Sequence, residues 1–192
     1  MAKLSDFMVS RVRSKILKCL LSNPNEMYYV RELTRQTKEE INAVRRELSR
    51  LQARGMVKSE QRGNRLYYQF RDAYPFFNEL LSLVVKTTGI GKEIIKNKNK
   101  LGFIKFAFLN THFIRKTTKQ AGQIDLVIIG KVIMPQIELL IKNFEKNHLI
   151  EVNYSCMTED EFTYRQSRKD PFILSVLSFP RIMLIGDELQ MS

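Results

Sequence analysis

An α+β fold in two parts is predicted, and three observations predict it. Residues 30–70, VRELTRQTKEEINAVRRELSRLQARGMVKSEQRGNRLYYQF, run as a helical stretch, a turn, a longer helical stretch and a hairpin. Residues 101–132 hold two short apolar runs, Phe103–Leu109 and Ile124–Ile129, rich in the aromatic and β-branched residues that fill buried strands. Between these segments, residues 75–100 read as connecting helices, so the expected divisions are 1–74, 75–100 and 101–192.

The first helix is expected over Val9–Ser22, with Val9, Val12, Ile16 and Leu20 inward, and Asn23-Pro24-Asn25 stops it. Met27–Val30 suits a short strand paired with the hairpin. The long helix is expected from Lys38 to Arg54. Its Ile41, Val44, Leu48 and Leu51 recur near the helical period of about 3.6 residues, so that face is buried. Asn42, Arg45, Arg46, Ser49 and Arg50 lie opposite, and Gly55 ends the helix where a positive φ is wanted. Met56–Gln61 and Arg65–Phe70 form the hairpin, Arg62-Gly63-Asn64 its turn, and Tyr67 and Tyr68 should alternate between surface and core.

Pro75 opens the next helix, where Phe76, Leu80, Leu83 and Val84 form an apolar stripe suited to a dimer partner or to the chain's own second domain. Gly89-Ile90-Gly91-Lys92 lacks the wider glycine spacing and the Ser or Thr after Lys of a phosphate loop, and reads as a break between helices. The lysines up to Lys100 read as a solvated helix end or an extension of a polyanion-binding footprint along its backbone. Further on, Thr158-Glu159-Asp160-Glu161 has the form of a capping box, and FPRIMLIGDEL, with Ile182, Leu184 and Ile185, that of a last strand or a dimer edge.

Net charge is +12 and unevenly spread. Residues 1–74 carry 16 Lys/Arg against 8 Asp/Glu, residues 86–119 carry 9 against Glu93 alone, and residues 120–192 carry 7 against 10. A positive front and a mildly negative rear suit a polyanion on one side. Charge alone does not choose between DNA, RNA and an anionic membrane.

Cys19 and Cys156 stand far apart, so neither a disulfide framework nor a zinc site is indicated, and Cys19 among Ile16, Leu17, Leu20 and Leu21 reads as a small core residue. His112 and His148 make no ligand cluster, no Ser/His/Asp or Cys/His arrangement can be drawn, and no cofactor or metal is called for. No apolar run of about 18 residues is present, and Met1–Phe7 lacks a signal peptide's apolar stretch, so a cytoplasmic location without membrane attachment is expected.

The order of elements over roughly the first 75 residues resembles the winged helix-turn-helix of ArsR/MarR-type transcriptional regulators. RELTRQT matches the first helix of the motif, KEEINAVRRELSRLQARGMV the recognition helix and its exit, and RGNRLYYQF the wing. The resemblance implies duplex DNA as partner. Lys38, Asn42, Arg45, Arg46, Ser49 and Arg50 would then reach bases or phosphates in a major groove. Arg62, Asn64 and Arg65 of the wing would reach the flanking backbone or minor groove.

Residues 88–189 resemble a minimal nucleotidyltransferase-like domain, an α/β fold with a mixed sheet, of the kind joined to winged helices in regulators. The resemblance rests on the strand before Asn110-Thr111, the basic loop His112–Lys119 and Gly122-Gln123-Ile124-Asp125-Leu126. It continues through IEVNYSCMTEDEF and DPFILSVLSFPRIMLIGDEL. Catalytic members carry Gly-Ser where Asn110-Thr111 stands here, and paired aspartates where Gln123 and Asp125 stand. Two carboxylates on one side of a strand hold the magnesium ions of nucleotidyl transfer, and a neutral amide brings no charge to that task. Glu151, expected on the next strand, is a weak third candidate.

A pseudoenzyme domain is therefore expected. Asn110, Thr111, Arg115, Lys116, Lys119 and Asp125 form a vestigial site that suits a nucleotide or phosphate, a solvated loop or an added DNA contact. The whole reads as a homodimeric DNA-binding regulator whose second domain serves dimerisation or the sensing of a nucleotide or protein. The alternatives are a working nucleotidyltransferase acting on protein or RNA, and an antitoxin-like interaction protein.

Overall fold

The computed structural model describes residues 8, 10–116 and 123–191 and is α+β, with two small sheets. It divides into two compact units, Met1–Thr87 and Thr88–Ser192. The expected connecting segment is not a separate piece, since one of its helices belongs to each unit.

In the first unit, α1 (Arg11–Ser22) is capped by Ser10, whose hydroxyl accepts from the Arg13 amide, and it buries Ile16, Leu17, Leu20 and Leu21. Val12 is half-buried, and Val9 lies outside the described residues. Strand β1 (Tyr28–Tyr29) leads into α2 (Val30–Thr37) and then α3 (Ile41–Ala53). The long helix thus starts three residues later than expected. Lys38 takes a left-handed φ of 54°, and its amide bonds back to Thr34 to close α2. The carboxylate of Glu40 instead caps α3, accepting from the amides of Asn42 at 2.8 Å and Ala43 at 2.9 Å.

Helix α3 ends on the closure expected of Gly55. That residue has φ 70°, its amide bonds Gln52 O, and the Met56 amide bonds Leu51 O. Strands β2 (Val57–Arg62) and β3 (Arg65–Phe70) form the hairpin, with Gly63 at φ 55° as the first residue of its two-residue turn. Strand β1 adds to β3 antiparallel, giving the order β1-β3-β2. Tyr68 is buried and Tyr67 lies half-exposed on the other face, as alternation requires.

Helix α4 (Phe77–Thr87) packs on α1, and the Phe70 ring meets the Phe77 ring at 5.8 Å. Its buried stripe is Phe77, Leu81, Val84 and Val85, one position along from the expected one, while Phe76 is 60% exposed. The reason is the apolar breadth of FFNELLSLVV, where two adjacent stripes fit the same period and only the seat on α1 chooses between them.

In the second unit, α5 (Gly89–Asn97) follows directly and a 3-10 turn covers Lys98–Lys100. Next come β4 (Gly102–Asn110), α6 (Thr111–Arg115), β5 (Leu126–Val132), α7 (Met134–His148) and β6 (Tyr154–Met157). Helices α8 (Glu159–Ser167) and α9 (Pro171–Ser178), strand β7 (Arg181–Ile185) and a 3-10 turn at Glu188–Met191 complete the unit. The sheet order is β6-β5-β4-β7, with β4 antiparallel to both β5 and β7, and β5 parallel to β6 across the α7 crossover. The sheet is mixed.

Phe106, Phe108, Val127 and Ile129 share one sheet face and form a core with Met157, Phe162, Ile173, Val176 and Met191. Ala107, Leu109, Leu126 and Ile128 alternate to the other face and are equally buried. The β4–β5 ladder slips at Lys105, opposite Gly130, whose φ is 149° and where any Cβ would strike the Phe103 carbonyl. Thr158 caps α8 by accepting from the Glu161 amide. Cys156 is half-buried on β6, and burial pushes its thiol up to about 11.

One buried charge lies where α3 meets α1. Glu47 is 2% exposed, accepts from Arg13 Nε of α1 at 2.5 Å and pairs with Arg50 Nη1 at 3.5 Å. Removing the acid strands the half-buried Arg13, a loss of about 2–3 kcal/mol. The Glu47→Ala chain should therefore show a lower urea midpoint, while Arg50→Ala, at an exposed partner, should leave it nearly unchanged.

Candidate nucleic-acid interface and the buried carboxylate of the second unit

Helix α3 presents Asn42, Arg45, Arg46, Ser49 and Arg50 to solvent, as its period requires. The hairpin stands beside it, held by a hydrogen bond from Gln52 Nε2 to Ser59 Oγ at 3.0 Å. Between helix, hairpin and the start of α2 runs a cleft of about 660 Å³, lined among others by Arg31, Arg45, Ser49, Asn64 and Arg65. The sequence-expected Arg45, Ser49, Asn64 and Arg65 thus come together. Lys38, in its left-handed turn, lies off the helix to which it was assigned.

Ion pairing separates these cations into two sets. Arg50 is paired with Glu47, and Arg62 with Glu60 at 2.8 Å. Arg45, Arg46 and Arg65 have no carboxylate within ion-pair distance among the described residues. Arg65 is nonetheless held, its guanidinium lying over the Tyr29 ring at 4.9 Å. Tyr29 in turn meets the Tyr67 ring edge-on at 5.7 Å and accepts from Arg35 Nη2 at 3.1 Å. An ordered, uncompensated guanidinium is suited to a phosphate or a base edge.

Arg31, Tyr29 and Gln61 also line this cleft, and residue-by-residue reading missed them. The pairing Tyr29↔Tyr67 brings them there, because it lays the start of α2 beside the hairpin. The expected strand at Met27–Val30 was the signal that could have found them.

At the end of the second unit's sheet, Asp125 is fully buried. Its Oδ1 accepts from His112 Nε2 at 2.9 Å and its Oδ2 from the Asn153 amide at 2.8 Å. Its own amide donates to Asn153 O, and its carbonyl accepts from the Asn110 amide. Asn110, also buried, donates from Nδ2 to Ile124 O at 2.6 Å. Asp125 therefore ties β4, α6, β5 and the lead-in to β6 together, with both carboxylate oxygens spent inside the fold.

The expected basic loop at His112–Lys119 is, over Thr111–Arg115, the short helix α6, closed by Lys116 at φ 49°. Where the strand gives way to this helix, the Thr111 amide donates to Pro180 O beside β7. Lys119 and Gly122 lie outside the described residues. Glu151 is exposed in the approach to β6 and not on that strand, so it does not join Asp125 as a carboxylate pair. The structure brings Asn110, Thr111, His112 and Asp125 together as a hydrogen-bonded knot. Among the described residues, no cluster of three or more His, Cys, Asp and Glu is placed to hold a metal ion.

Compared with family models, with curated proteins and with solved structures, the chain matches none of them. No helix among the described residues is long and apolar enough to cross a membrane.

Two outcomes are expected. The Glu40 carboxyl is held below its ordinary 4.5, first by the Asn42 amide and then by that of Ala43, and the Lys15 ammonium acts likewise on Glu39. A carboxyl lowered by folding contributes stability that is present above its unfolded value and lost as pH falls through the folded one. Unfolding midpoints measured from about pH 5 down to about pH 3 should fall less steeply in Glu40→Ala than in the parent. Asp125→Ala should leave His112 and the Asn153 amide unsatisfied inside the fold. It should lower stability by about 3–5 kcal/mol, read from urea unfolding without added metal.

Proposed function

We propose that the protein is a DNA-binding transcriptional regulator. Its first unit is a winged helix-turn-helix of the ArsR/MarR type, with α3 as recognition helix and β2–β3 as wing. Its second unit is a nucleotidyltransferase-like domain without catalysis, serving dimerisation or the sensing of a nucleotide or protein. The observation that carries the reading is the cleft between α3 and the hairpin, where Arg45 and Arg65, neither with a carboxylate within ion-pair distance among the described residues, stand beside Ser49 and Asn64. Phosphates would satisfy the guanidinia, and the neutral side chains offer donors and acceptors to base edges.

The engagement of both Asp125 oxygens with His112 and Asn153 supports the non-catalytic reading of the second unit. A transferase would need that carboxylate turned outward onto magnesium. Labelled nucleotide transfer that required magnesium and vanished in Asp125→Ala would overturn this part of the proposal.

The main test is fluorescence anisotropy with random duplex DNA over a salt series. The logarithm of affinity should fall linearly with that of salt, by about 0.9 for each phosphate contact. Arg45→Ala and Arg65→Ala should each weaken binding by about 1–3 kcal/mol. Arg62→Ala should cost less than Arg65→Ala, because Glu60 already occupies its guanidinium. Equal affinities for all three variants and the parent would overturn the assignment of this face.

A further inference from the structure

The second unit carries a cation cluster that the recognition helix and wing do not use. Lys92 and Lys96 stand one turn apart on α5, away from the buried Ile90, Gly91 and Ile94, and Lys98 and Lys100 follow in the exposed 3-10 turn. None of the four has a carboxylate within ion-pair distance among the described residues. Glu93, the one acid in residues 86–119, accepts instead from the Asn97 amide at 3.4 Å. Elsewhere in this unit Lys105 is paired with Glu159, Arg165 with Glu161 at 2.7 Å and Arg181 with Glu188 at 2.8 Å.

Helix electrostatics account for only part of this. Lys96 lies in the last turn of α5, where the dipole favours a cation, but Lys92 lies near its first turn, where the dipole opposes one. Lys98 and Lys100 lie beyond the helix. Four lysines against Glu93 alone within nine residues leave a net repulsion that a polyanion removes.

Beside the cluster, between α5 and α7, runs a groove of about 440 Å³ whose lining includes Asn97, Lys100, Asn143, Asn147 and His148 together with the Glu93 carboxylate and an apolar wall from α7. His148 stacks on Phe144 at 4.1 Å, its Nδ1 occupied by the Phe144 carbonyl. Side-chain amide N–H groups next to a lysine are donors suited to phosphate and sugar oxygens, which carry no sequence information.

We propose that Lys92, Lys96, Lys98 and Lys100, with the amide-lined groove, form a second contact surface for the phosphate backbone of duplex DNA. The inference rests on the duplex-binding reading for its partner. Thr88 alone lies between α4 and α5, and so short a tether makes a backbone contact by one unit intramolecular once the other is bound. The surface would add affinity and salt dependence without adding sequence preference.

The test uses the full chain and its Lys96→Gln/Lys98→Gln/Lys100→Gln variant, with the Arg version of the same three positions as charge-retaining control. Anisotropy is read over a salt series on duplexes of about 12 and about 30 base pairs. On the longer duplex the Gln variant should lose about 2–3 from the salt slope and bind at least about tenfold more weakly, with the Arg version unchanged. On the shorter duplex the difference should shrink. A Gln variant with parental slopes on both duplexes overturns the inference, while losses in Arg45→Ala and Arg65→Ala still uphold the recognition face. Loss in the lysine variant with none in the two arginine variants upholds this surface and overturns that face. Weakening confined to single-stranded RNA of equal length overturns the duplex as partner.

Discussion

Glu47 is the charge on which the first unit turns. A carboxylate with 2% exposure in the middle of a helix is tolerable only with a cation brought to it, and Arg13 of α1 supplies one at 2.5 Å. That contact fits the rotation of α3 that its apolar stripe requires. Once the rotation is set, Val44, Leu48 and Leu51 fall into the core, and Arg45, Arg46 and Ser49 face out. The same pairing holds Arg50 at 3.5 Å and so removes one guanidinium from the outer face. The Arg11 and Lys15 contacts to Glu39 secure the turn before α3 in a similar way. The acids of this unit largely position its bases, while Glu40 at the cap of α3 acts on Arg45 and Arg46 only from beyond ion-pair distance.

Asp125 plays the corresponding part in the second unit by a different route. There a buried carboxylate is satisfied by one imidazole and one backbone amide, and its neighbours Asn110 and Asn153 close the remaining backbone gaps. In a chain of letters such an aspartate cannot be told from a metal ligand, because both require an acid at the start of a strand. What separates them is the direction of its lone pairs. Here these point to His112 and Asn153, residues 13 before and 28 after it.

Much of the first unit was legible because its signals are local. The hairpin from Arg65 to Phe70, the stop at Gly55 and the outward face of α3 follow from turn chemistry and helical period. What was not legible depends on partners distant in sequence. Glu47 looks like any surface acid until Arg13 is placed beside it, and the stripe of α4 is chosen by its seat on α1. The start of α3 was read early because Lys38-Glu39-Glu40 are all acceptable helix residues, and only the backbone reversal at Lys38 excludes them. In the second unit the strands were legible from their apolar runs. The helix α6 was not, since five residues carry too little period to announce one.

Position and pairing together divide the chain's basic residues by task. Arg13, Arg50, Arg62, Arg165 and Arg181 hold carboxylates of the same unit, and their charge is largely consumed in doing so. Arg45, Arg46, Arg65 and the lysines of α5 and its following turn have no such partner among the described residues. They are surface charges whose mutual repulsion lowers the stability of the isolated chain. A net charge of +12 is thus less informative than where its unpaired cations cluster, and two such clusters are the α3–hairpin face and the α5 lysines. Arg65 adds a distinction of kind. Stacked over Tyr29, it gives up conformational freedom before any ligand arrives, whereas the α5 lysines remain hydrated point charges on flexible stems. The first arrangement suits a contact made in one geometry, the second a contact that tolerates many.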